Sequence, residues 1–76
     1  MDVRIGISES NQVVEVDMAD DTDRDGLKSD VADAIGTGSM LWVADRKGKE
    51  TGVPGAKIAF VEIGTTDAER RIGFGA

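Results

Sequence analysis

The apolar residues of this chain change their period twice, and that change limits the folds open to it. Val3, Ile5 and Ile7 alternate with polar or small residues, the two-residue period of a half-buried strand. Glu9, Ser10 and Asn11 supply turn chemistry and the β-branched run from Val13 to Val16 follows, so residues 2–17 read as a β-hairpin. Leu27, Val31, Ala34 and Ile35 then recur at spacings of three and four, one face of a helix that ends at Gly36 to Gly38. Thr22, with Asp25 three positions on, predicts the N-terminal cap of that helix in the manner of a capping box.

Strand chemistry returns in MLWVA, residues 40–44, which the turn DRKGKETG closes. Residues 57–63 are the most strand-like segment, and Pro54 with Gly55 sets its start after them, because proline cannot donate to a ladder. The predicted order is β-β-α-β-β: an α+β fold in which a mostly antiparallel, four-stranded sheet carries one helix on one face. Residues 1–76 read as a single small domain, with residues 64–76 a Gly-containing C-terminal tail.

One helix covers one face, and chain length makes that matter. A chain of 76 residues has a thin core. Along 57–63, Ala59, Val61 and Ile63 are expected on one face, with Ile58 and Phe60 beside Glu62 on the other. Trp42, Ile58, Phe60, Ile72 and Phe74 are therefore the predicted interaction residues. Either the tail folds over the second face through Ile72 and Phe74, or a second copy of the chain covers it.

Composition removes several chemistries. The chain has no cysteine, histidine or tyrosine, so disulfides, thiolate metal sites, thiol catalysis and the usual proton shuttle are excluded. Ser29 and Ser39 have no histidine to activate them, and Glu50, Glu62 and Glu69 are not spaced to flank one bond. GTGSM, residues 36–40, ends a helix instead of opening one and no Gly-Lys-Ser/Thr follows, so it is not a phosphate loop. The start MDVRIGISES lacks an apolar run and no stretch approaches the roughly 20 apolar residues of a membrane span. A cytoplasmic, non-enzymatic protein without a cofactor is the expectation.

Charge is unevenly spread. Fifteen acids against nine bases give a net charge of -6, but residues 1–38 carry ten acids and three bases while residues 39–76 carry five and six. Such a chain repels phosphate backbones except at a local basic patch. The two candidates are Arg46, Lys47 and Lys49 in one turn, and Arg70 with Arg71 near the end, with Trp42 or Phe74 as a stacking surface.

The acids concentrate in DDTDRDGLKSD, residues 20–30, where Asp21, Asp23, Asp25 and Gly26 match the first half of an EF-hand loop. Position 12 of that loop would be Ala32, which has no ligand atom, and position 8 is Lys28. Carboxylates at a helix start face unpaired N–H groups and the positive end of the dipole, which explains the same residues without a metal.

The segments VRIGI, VVEV, LWVADRKGK, VPGAKIAFVEIG and RRIGFG, in that order, resemble the small actinobacterial family catalogued as domain of unknown function 3107. This chain departs from the family in DTDRDGLKSDVADAI, with its Gly26 and fewer alanines and glutamates. The resemblance implies a small cytoplasmic single-domain protein without assigned chemistry; some members carry an ATP-binding label that no motif here supports. Three functional readings follow. The first is an interaction module using an exposed sheet face or edge to bind itself or another protein; the second is a nucleic-acid accessory; the third is a weak divalent-metal or nucleotide binder.

Overall fold

A computed structural model describes residues 1–64. In chain order it contains β1 (Asp2–Ile7), β2 (Val13–Asp17), α1 (Arg24–Thr37), β3 (Met40–Ala44), β4 (Glu50–Pro54), a 3₁₀ turn (Gly55–Lys57) and β5 (Ile58–Ile63). The α+β class and the antiparallel pairing agree with the sequence. One strand is new. DRKGKETG is not all turn: only residues 45–49 form the loop, and Thr51 and Val53 continue as β4, with Val53 buried opposite Leu41.

The strands divide into two sheets, β2-β1-β5 and β3-β4. Pro54 ends β4, and the 3₁₀ turn then carries the chain across to lie beside β1. Gly55 makes that crossing possible. Its N–H donates to Ser39 O at 2.7 Å, and a Cβ there would run into the carbonyl of Ala34 on the last turn of the helix. The glycine of VPGAK is thus explained by one close backbone approach.

Side-chain faces along β5 differ from the simple alternation expected. Gly6 pairs with Phe60 but Ile7 pairs with Ile58, so Ala59 is a bulge residue without a partner. A bulge reverses the faces on either side of it. Ile58 therefore joins Val61 and Ile63 on the inner face, and it is buried instead of exposed. That corrects its place among the interaction residues.

The core is built from Val3, Ile5, Val16, Leu27, Ala34, Leu41, Val43, Val53 and Ile58, with Met1 and Met18 at one end. Thr22 does not cap α1. Its hydroxyl and its N–H both turn to Ala19 O, at 2.6 and 3.0 Å, closing a tight turn before the helix begins. Asp23 takes the N-cap position without a side-chain cap bond, and Leu27 N makes the first helical bond to Asp23 O at 2.9 Å. At the far end Gly38 has φ 73°, the left-handed geometry that glycine adopts without cost. Of the predicted helix face, Leu27 and Ala34 are buried and Val31 is half-buried, but Ile35 is 50% exposed.

Candidate functional site

Alternation along β3 turns Leu41 and Val43 into the core and Met40, Trp42 and Ala44 outward. Trp42 is 64% exposed, the most exposed of the large apolar residues described. Its ring lies over Gly52, the direct cross-strand partner. A glycine there gives the indole a flat backbone floor.

Next to Trp42 is a hollow of about 310 Å³ between β3 and the first half of α1. Met18, Leu27 and Val43 form its apolar lining, and Asp23 and Asp30 stand on its helix side. Those two acids are seven residues apart, two helical turns, so they lie on one face. The Asp23 carboxylate lies close over Gly26, where an added Cβ would come within 2.7 Å of Oδ2. Tertiary folding thus brings the acidic helix start and the exposed indole together.

A second groove, of about 490 Å³, runs between α1 and β5. Val31, Ala32, Ile35, Val61 and Ile63 line it, with Arg24 and Lys28 on its rim. Among the described residues no strand pairs with the outer edge of β5.

Arg46 is drawn into the fold. Its Nε lies 3.0 Å from Asp17 Oδ2, and its Nη2 donates to Asp17 Oδ1 at 3.1 Å and to Asp20 Oδ1 at 3.4 Å. The N-terminal ammonium shares the same two carboxylates, at 3.5 Å and 3.0 Å. The hydrogen bond from Arg46 holds the Asp17 carboxyl below its ordinary range, against a smaller opposing effect of burial, and Asp17 raises the guanidinium in return.

The other sequence-predicted residues are dispersed. Lys47 and Lys49 are exposed in the β3–β4 loop, where their backbone N–H groups both donate to Asp45 Oδ1 at 2.9 Å. Phe60 is 45% exposed on the outer face of the other sheet, with its ring over Gly6. Asp21 is in the turn before the helix and Asp25 in its first turn; among the described residues no three acids are grouped to hold a metal. Ile72, Phe74, Arg70 and Arg71 lie outside the described residues. Sequence reasoning missed Asp30 and Met18 as neighbours of Trp42. The spacing of Asp23 to Asp30 was a usable signal; the approach of β3 to that helix face was not in the sequence.

The fold and site define a small α+β protein with a shallow, half-acidic surface hollow beside a single exposed indole. The chain belongs to the family described as protein of unknown function (DUF3107), whose model it matches over residues 1–75. No curated protein matches it. Among the described residues no helix is long and apolar enough to cross a membrane.

Proposed function

We propose that this protein is a non-enzymatic interaction module of the cytoplasm that holds a basic, apolar segment of another protein at the Trp42 face. The observation that carries this reading is the placement of Trp42 against the hollow flanked by Asp23 and Asp30. An indole face attracts a lysine or arginine by about 0.5–1 kcal/mol at an exposed site, and more once water is excluded. The two carboxylates offer the charged partners, and the apolar floor takes the aliphatic part of the segment. Residues 1–38 have a net charge of -7 from ten acids and three bases, so a cationic segment is also steered to this side.

The same arrangement speaks against nucleic acid. Arg46 is committed to Asp17 and Asp20, and Trp42 has carboxylates beside it where a phosphate backbone would have to pass.

Trp42 is the single tryptophan, so its emission reads the site directly. Peptides alternating arginine or lysine with leucine should shift that emission saturably, and the effect should weaken with salt. Asp30→Lys should reduce the affinity while leaving the fold intact. An equal response to acidic peptides, or none at millimolar basic peptide, would overturn the proposal.

A further inference from the structure

We propose, resting on the reading of the Trp42 face above, that the basic segment is held there as an added β-strand, paired through its backbone with the open edge of β3.

The hydrogen-bond register of the β3–β4 hairpin decides which groups that edge offers. At one end Asp45 N donates to Lys49 O at 2.9 Å, and at the other Gly55 N donates to Ser39 O at 2.7 Å. Bonded pairs of an antiparallel ladder alternate with unbonded ones, so Leu41 and Val43 are bonded to Val53 and Thr51. Met40, Trp42 and Ala44 then turn their N–H and C=O groups away from β4. Pro54, which has no N–H to give, stands opposite Met40 at one of the unbonded pairs. Arg46 is next in the outward row, and its N–H shows the edge in use: it donates to Asp17 O at 2.9 Å. Among the described residues no strand pairs with this side of β3.

Free sheet edges are commonly blunted by charge or proline. β4 has Glu50 at one end and Pro54 at the other, whereas β3, MLWVA, carries neither. The hollow of about 310 Å³ adjoins this unguarded edge, with Trp42, Val43 and Ala44 on one side and α1 on the other. A strand laid there turns alternate side chains to opposite faces. One set shares the outer face with Trp42, where a cation meets the indole. The other set turns inward beside Val43, toward Met18 and Leu27. A segment alternating basic and apolar residues satisfies both faces, and Asp23 and Asp30 across the hollow favour its positive charge. A second copy of this chain fits less well, because its β3 has no cation and it brings its own Asp23 and Asp30 to the same edge.

Amide exchange of the full chain, followed by nuclear magnetic resonance with a peptide alternating arginine and leucine, tests this. The peptide should slow exchange at the Trp42 and Ala44 amides by about tenfold or more. Two further peptides carry N-methyl groups on the arginines alone or on the leucines alone. Alternate residues of a strand give their N–H to the same neighbour, so one of the two should bind as before and the other should lose about tenfold or more in affinity. A shift of Trp42 emission without amide protection would overturn the added strand and leave the interaction module standing; no response of either kind would overturn both. Equal weakening of the two methylated peptides, or a Trp42 amide already protected before peptide is added, would also overturn the strand. Protection that grows with protein concentration alone would overturn it in favour of a second copy.

Discussion

The indole of Trp42 rests on the backbone of Gly52, and a methyl group added at position 52 would lie within 2.8 Å of Trp42 Cζ3. The glycine thus decides the angle at which the ring is presented. Gly52→Ala should tilt the indole outward and shift its emission to longer wavelength, with a stability change below about 1 kcal/mol because the ring is exposed and free to move. Fluorescence together with urea unfolding checks both parts, and an unchanged spectrum would count against the contact.

Gly55 is the opposite case. Its missing Cβ faces backbone carbonyls of Ala34 and Ser39, which cannot rotate aside as a ring can. Gly55→Ala should cost more than about 2 kcal/mol, as overpacking against fixed backbone does. A urea midpoint close to wild type would show that the helix and the 3₁₀ turn separate easily.

Two apolar truncations should diverge. Ile5 is 0% exposed and touches both neighbouring strands, whereas Met40 is 48% exposed on the outer face of β3. Ile5→Ala should cost about 2–5 kcal/mol, and Met40→Ala should stay within about 0.5 kcal/mol. Thermal unfolding of the pair measures the contrast.

Acid should weaken the protein partly through Asp17. Its carboxyl is held below the ordinary value of 3.8 by the hydrogen bond from Arg46, so the folded state favours the charged form. That contribution is complete above the unfolded value near 3.9 and is lost as pH falls through the lower folded value. Asp17→Asn removes it at every pH. The stability gap between wild type and this variant should therefore be constant above about pH 5 and shrink below about pH 4; a gap that widens in acid would contradict the Arg46 pairing.

Calcium should leave the melting temperature unchanged. Asp21, Asp23 and Asp25 are spread over a turn, a cap position and a first helical turn. A site tighter than about 0.1 mM would add roughly 1.4 kcal/mol at 1 mM calcium and raise the midpoint by several degrees. Differential scanning fluorimetry with calcium and with chelator makes the comparison.

Much of the architecture was legible in one-dimensional patterns. The alternation Val3, Ile5, Ile7 gave β1 its buried face, and Leu27 with Ala34 marked the helix face that enters the core. Thr22 misled because a capping box and a tight turn use the same hydroxyl; here it donates to Ala19 O, and the N-cap position falls one residue later at Asp23. Ile58 misled because one unpaired residue, Ala59, reverses every face before it. The extra strand β4 was hidden in a glycine- and lysine-rich stretch whose strand character depends on Val53 finding Leu41 across the hairpin.

The sequence by itself determined the class of fold, the antiparallel strands, the helix and its acidic start, and the absence of thiol and imidazole chemistry, since each follows from residue type or short-range spacing. Only the tertiary structure decided that the strands form two sheets, that Arg46 is neutralised by Asp17 and Asp20, and that Trp42 stands beside Asp23 and Asp30. Those depend on contacts between residues far apart in the chain, and a bulge or a glycine at one crossing redirects them without altering any local pattern.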